Sequence, residues 1–232
     1  EKALGERDPA VFIRILRECG ALRALLPEVE DLFGVPQPAA HHPEIDTGEH
    51  LLMTLQEAAA MSADTEVRFA LLVHDLGKGT TPEADWPRHI AHEQRGLERV
   101  DALCARLRPP KRYCELARTV CQYHTLCHRA LELRGSTLLK LLTATEALRR
   151  PDVFEHFLLA CEADARGRAG LEERPYPQAD YLRAASTAAA EITAQSFLAR
   201  GLRGQALGEA IKAAQIARLE SLRGTQPSVL PG

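Results

Sequence analysis

Six side chains of cation-binding type recur along this chain at positions compatible with helices: His50, the adjacent pair His74 and Asp75, His92, His124 and Asp164. The pair stands out. From Arg68 to Gly79 an apolar, helix-prone run ends in His74-Asp75, and Gly77, Lys78 and Gly79 follow at once. A histidine and a carboxylate at the end of a buried helix are costly unless something uses them, and a divalent cation is the simplest user. The two are neighbours, about 100° apart around a helix, so both reach one ion only if it lies beside the helix end. His50 and Asp164 add an imidazole and a carboxylate from separate helices, which suits a hard or borderline divalent ion. His92 and His124, on two further helices, either bind a second ion or grip a phosphate.

Positioning these groups requires helices. Alanine, leucine, arginine and glutamate dominate, aromatic residues make up 5%, and alternating Val/Ile/Thr/Tyr runs are missing, so an all-α fold is predicted. Asp8 and Pro9 start a helix that Gly20 stops, with Val11, Phe12, Ile15, Leu16 and Cys19 on an apolar face. A short helix follows from Ala21 to Leu26, then a Pro- and His-rich loop from Phe33 to Asp46. Asp46-Thr47-Gly48-Glu49 reads as a cap that places His50 early in the next helix. Asp64 is expected to cap the central helix, which is expected to end at Gly77. Further helices are predicted from His89 to Leu107, Pro110 to Leu126, Ser136 to Leu148 and Asp152 to Ala165. Two or three more fill Gln178 to Arg223, and disorder is expected from Gly224 to Gly232.

With 232 residues, 45% hydrophobic and 26% charged, the chain can bury a sizeable core, and no run suits a membrane span. Net charge is −3, yet Arg99, Arg106, Arg108, Lys111, Arg112 and Arg118 crowd one stretch and Arg200, Arg203, Lys212, Arg218 and Arg223 another. Such helix-borne excess either tracks a phosphate backbone or forms a solvated face. Six cysteines, none in a C-x-x-C pair, read as reduced core residues of a cytoplasmic protein. Of the remaining histidines, His41, His42, His128 and His156 read as structural or exposed. Cys127 and His128 lack partners at a structural-zinc spacing.

The order His50, His74-Asp75, His92, His124, Asp164 resembles the HD superfamily of metal-dependent phosphohydrolases. The segments His42–His50, Arg68–Gly79, Trp86-Pro87-Arg88-His89 and Cys161–Arg168 are very similar to the C-terminal half of bacterial multifunctional CCA-adding enzymes, which are tRNA nucleotidyltransferases. The resemblance implies the end of a neck over residues 1–34, an HD domain over 35–170 and a helical tail over 171–232. It also implies that the nucleotidyltransferase head lies outside this chain. The HD portion of that family is associated with phosphatase, 2′-nucleotidase and 2′,3′-cyclic phosphodiesterase activity, so nucleotides bearing those phosphates, and tRNA, are the implied partners.

The residues fit that chemistry. Phosphate ester hydrolysis needs an activated water and neutralised phosphoryl oxygens, and a divalent ion serves both needs. His50, His74, Asp75 and Asp164 are expected to hold one ion, of magnesium, manganese or nickel. Asp75 bridges to a second in the two-ion version, with His92 and His124. Lys78 is placed to meet a phosphate, or else is a C-terminal dipole partner; Arg88, His89 and Arg168 are further phosphate candidates. Besides a hydrolase acting within tRNA maturation, the sequence allows a non-catalytic tRNA-binding and dimerising module, or a nucleotidase outside tRNA metabolism.

Overall fold

The computed structural model describes residues 1–224. It is all α, as composition predicts, with one isolated antiparallel bridge, between Pro36 and Asp46, among the described residues. Helices α1 to α7 span Lys2–Gly5, Pro9–Glu18, Ala21–Leu25, Pro27–Glu30, Thr47–Ala60, Thr65–Val73 and His92–Leu107. Helices α8 to α13 span Lys111–His128, Gly135–Ala144, Pro151–Arg166, Pro177–Ala190, Gln195–Ala199 and Gly204–Gly224. The chain forms two compact units: Glu1–Thr125 with Glu155–Tyr176, and Leu126–Phe154 with the chain from Pro177 onward. All six candidate ligand residues fall in the first.

In that unit, local chemistry sets most helix ends. The Asp8 carboxylate accepts from Ala10 N at 3.1 Å and Pro9 opens α2, while Gly20 leaves it at φ 74°. Helix α4 was not foreseen. Pro27 reads in sequence as a stop, but its fixed φ equally suits a first helical position. The expected apolar face of α2 is largely its outer face: Val11, Phe12 and Ile15 are exposed, and the helix packs through Ala10 and Ile13 instead. Asp64 stands at the start of α6 without capping it, its side chain lying 3.6 Å from His156 Nε2.

The end of α6 differs from expectation in a way that matters. Glu66 to Val73 are all buried, but the helix stops at Val73, and His74 to Gly77 form a turn leading into a 3-10 turn at Lys78–Thr80. The next helix begins at His92 and not at His89, because Ala91 adopts a left-handed conformation at φ 57°. The two breaks meet: a Cβ on Gly77 would collide with the backbone carbonyl of His92, so only glycine allows this approach. Arg68, buried beneath, donates to the carbonyls of Ala63, Leu4 and Glu6, each at 2.8 Å, and ties α1 to α6.

The second unit packs α9, α11 and α13 together. Gly135 N donates to Glu220 Oε1 at 2.6 Å, and a Cβ there would meet the Ile216 carbonyl at 2.8 Å. Three helices, α11 to α13, occupy the region read as two or three. The disorder expected over Gly224–Gly232 lies, from residue 225 on, outside the described residues. The six cysteines are free thiols.

Gly77→Ala should destabilise the protein by about 1–3 kcal/mol, the usual range for an overpacked contact. Urea unfolding of the variant against the parent chain measures it, and an unchanged midpoint would show that the turn can give way.

Candidate metal centre

The buried His/Asp cluster starts from helix ends. Asp46 caps α5, its Oδ1 accepting from Gly48 N at 2.7 Å and Glu49 N at 3.0 Å and its Oδ2 from Gly34 N at 2.6 Å. That sets His50 in the first turn, fully buried. His74 terminates α6 and Asp75 lies in the turn beyond it. His92 opens α7, His124 lies on α8 and Asp164 on α10. All six residues are buried to 8% exposure or less, which is unusual for such polar groups.

The imidazoles share one orientation. His74 Nδ1 lies 2.7 Å from the Leu71 carbonyl, His92 Nδ1 2.9 Å from His89 O, and His124 Nδ1 3.0 Å from Val120 O and 3.2 Å from Cys121 O. His50 Nδ1 lies 3.1 Å from Gly167 O and 3.0 Å from Glu44 Oε1. Carbonyl and carboxylate oxygens only accept, so each Nδ1 carries a proton, which leaves Nε2 as the ring atom that could ligate an ion; His50 Nε2 itself hydrogen-bonds Asp164 Oδ1 at 3.0 Å. The Nε2 atoms converge on two carboxylates. Asp75 Oδ1 is 3.4 Å from His92 Nε2 and 3.5 Å from His124 Nε2, and Asp75 Oδ2 is 3.2 Å from His74 Nε2. Asp164 Oδ1 is 3.0 Å from His50 Nε2 and 3.8 Å from His74 Nε2.

Apart from the 3.0 Å His50–Asp164 hydrogen bond, these separations of 3.2 to 3.8 Å suit ligands of a cation better than hydrogen-bond partners. Two ligands each about 2.1 Å from one ion at a tetrahedral angle lie about 3.4 Å apart. Both Asp75 oxygens and the Nε2 atoms of His74 and His92 are buried without a hydrogen bond, Lys78 Nζ approaching Asp75 Oδ2 as an ion partner at 2.7 Å. Buried polar atoms left so are rare unless a water, ion or ligand is meant to meet them. Ligand atoms of His50, His74 and Asp75 lie within 4.8 Å of one another, as do those of His74, His124 and Asp164 and those of Asp75, His92 and His124. The donor set fits a divalent ion, with Asp75 facing both halves of the cluster.

Electrostatics agree. Burial disfavours the His74 imidazolium, but the Asp75 and Asp164 carboxylates outweigh it and raise its pKa to about 9. Burial would raise Asp75, yet the charges of His74 and Lys78 hold it well below the ordinary carboxylate range. Burial keeps His124 neutral by lowering its pKa. The proton on His74 is thus the stand-in for a cation, and an ion must displace it.

Other candidates divide. Lys78 is buried and touches Asp75, so it belongs to the cluster. Arg168 reaches toward Asp164 at 3.8 Å and donates to His41 O at 3.3 Å. His89 does not face the cluster as a phosphate donor: its ring nitrogens lie 2.9 Å from Thr81 Oγ1 and 2.9 Å from Pro36 O, anchoring one loop to another. Arg88 is exposed on that loop and is not among the converging residues. Glu44 and Gln37 were missed, because each sits in a proline-rich loop with no periodicity to mark it. His42, read as structural, lies against Glu44 Oε1 at 3.0 Å and edge-on to His50, with burial pushing its pKa down to about 4.

A bundle of helices enclosing a buried His/Asp cluster of this order defines a class. Residues 47–150 match the family model described as HD domain. Over nearly its whole length it is similar to proteins named multifunctional CCA protein. The identity is 56% over 223 residues for that of Thioalkalivibrio sulfidiphilus, covering 96% of this chain and 54% of the relative. For Nitrosococcus oceani it is 56% over 226 residues, covering 97% and 56%, and for Pseudomonas aeruginosa 56% over 222 residues, covering 96% and 54%. The resemblance read from the sequence, to the HD-bearing half of CCA-adding enzymes, is borne out. The chain spans about half the length of the curated relatives it matches. Among the described residues no helix is long and apolar enough to cross a membrane.

Two outcomes are expected of metal titrations. Affinity for Mn2+ should rise about tenfold per pH unit up to roughly pH 9, because one proton leaves His74 for each ion bound; a pH-independent isotherm would contradict this. Glu44→Ala should weaken Mn2+ binding by about 10–100-fold by releasing His50, the usual effect of losing the partner of a ligating histidine. Calorimetry reads both.

Proposed function

We propose that this chain is a metal-dependent phosphohydrolase, and that its substrates are 2′-phosphates or 2′,3′-cyclic phosphates of nucleotides. The carrying observation is the buried convergence of four histidine Nε2 atoms on Asp75 and Asp164. His50, His74, Asp75 and Asp164 would hold the principal ion; His92 and His124, facing Asp75 Oδ1, would hold a second or steady the phosphate. A bound divalent ion supplies an acidified water and neutralises phosphoryl charge. The chain's own contribution is to exclude bulk water, which strengthens each charge interaction, and to present Lys78 to the anionic substrate. No covalent nucleophile is required of the protein. We assign the site to an HD domain over residues 35–170, flanked by the end of a neck over 1–34 and a tail over 171–232.

The names of the relatives support a place for this chain as the C-terminal part of a cytoplasmic CCA-adding tRNA nucleotidyltransferase, with tRNA 3′ ends as its setting. The rival reading, a purely tRNA-binding and dimerising module, rested on basic stretches that the structure largely neutralises. Arg99 pairs with Asp31 at 2.6 Å, Arg106 with Glu28 at 2.6 Å, Arg112 with Glu66 at 2.9 Å, Lys111 with Glu115 at 3.2 Å, and Arg118 with Asp101. In the tail Arg218 meets Glu191 at 3.1 Å and Arg223 meets Glu220 at 3.7 Å. Paired cations offer phosphates less than their number suggests.

The test is hydrolysis of 2′,3′-cyclic AMP and of a plain phosphomonoester by the purified chain, with and without added Mn2+. The double substitution His74→Ala with Asp75→Ala should reduce turnover to the metal-free background while circular dichroism stays helical. Undiminished metal-stimulated turnover would sink the assignment.

A further inference from the structure

We propose that Gln37 is a phosphate-binding residue of this same site, donating its side-chain amide N–H to a phosphoryl oxygen beside Lys78. The inference rests on the phosphohydrolase reading and adds a residue to it.

Gln37 belongs to the loop before α5, and it is 2% exposed. Its backbone is fixed, because its N–H donates to Ile45 O at 2.7 Å next to the bridge between Pro36 and Asp46. Its Oε1 accepts from Lys78 Nζ at 2.5 Å. A lysine ammonium has only donors, so the oxygen must face Lys78 and the amide has one permissible orientation. The amide nitrogen then points elsewhere, and it is buried with no partner. The oxygen is accounted for by Lys78, so it is the buried, unpartnered N–H of the same amide that needs explaining.

Lys78 supplies the second half. It is itself buried, and its ammonium donates to Gln37 Oε1 and pairs with Asp75 Oδ2 at 2.7 Å, so its three donors are not all spent on the protein. Gln37 therefore does two things at once. It accepts from the ammonium, and it carries an unused N–H on the same amide group. Two adjacent donors, one charged, beside a cation-collecting carboxylate suit an anion with several acceptor oxygens, which is what a phosphoryl group is. A glutamate here would still accept from Lys78 but would lose the donor and repel the anion, so the amide is the form the ligand selects.

Inorganic phosphate titrated into the Mn2+-loaded chain, followed by calorimetry, tests this. Gln37→Met should raise the phosphate Kd about tenfold, the worth of one hydrogen bond to a charged group, and Gln37→Glu should raise it further. Both should keep Mn2+ affinity within about threefold, and Gln37→Glu, which keeps an acceptor for Lys78, should keep the melting temperature of the parent. Gln37→Glu retains the shape and the Lys78 contact, so it serves if the methionine variant does not fold. Unchanged phosphate affinity in the variants, with a parent chain that binds phosphate, would overturn the role of Gln37 alone. A parallel loss of Mn2+ binding would make Gln37 a structural residue and overturn it too. A Mn2+-loaded parent with no phosphate affinity would overturn the hydrolase reading and this inference together.

Discussion

The structure depends on keeping a charged carboxylate, Asp75, in the interior. A buried carboxylate without compensation is among the costliest features a protein can carry. Compensation here comes from one ammonium at 2.7 Å and three imidazoles at 3.2 to 3.5 Å. Each imidazole is presented by a different helix or helix end, so α6, α7 and α8 are obliged to meet at one point. The breaks at His74 and Ala91, and the glycine at 77 that lets the two breaks touch, follow from that requirement.

The histidines are not held alike. His74, His92 and His124 each anchor Nδ1 on a carbonyl three or four residues earlier in the chain, so local chain geometry suffices to orient them. His50 has no such local anchor. Its Nδ1 looks to Gly167, 117 residues away, and to Glu44 in the preceding loop. The side of the cluster formed by His50 and Asp164 is therefore a product of tertiary contact. Gly167 is glycine for the same reason: a Cβ there would press on the Thr54 backbone at 2.5 Å, pushing α10 off α5.

This division explains what could be read in the sequence. The six candidate ligands, four on helices and His74 and Asp75 in the turn that ends α6, could be picked out by residue type and order, and the structure brings their side chains together. Helix starts with a side-chain cap, at Asp8 and Asp46, were legible as well. The end of α6 was not, because nothing in Arg68–Gly79 tells a helix from a turn until the carbonyl of His92 arrives from another element. Glu44 and Gln37 were invisible for a related reason: a loop side chain has meaning only through what lies across from it. His89 misled in the opposite sense, having the right type and neighbourhood but both nitrogens engaged by Thr81 and Pro36.

One loop joins the two halves of the chemistry. Within ten residues, Gln37 meets Lys78 and Glu44 meets His50, so the same strap of chain contacts the anion side and the cation side of the cluster. Its ends are clamped by Gly34 N and Asp46 and by Thr47 Oγ1 on the Val35 carbonyl at 2.8 Å, and its back by His89 on Pro36. A loop tied at that many points can hold two side chains to within the tolerance that ligands and substrates demand, although it has no regular structure of its own. The clamp also accounts for the histidine that chemistry does not use. His89 holds the Pro36 carbonyl, and Pro36 precedes Gln37, so a histidine read as a phosphate contact acts on the backbone of the residue proposed to be one.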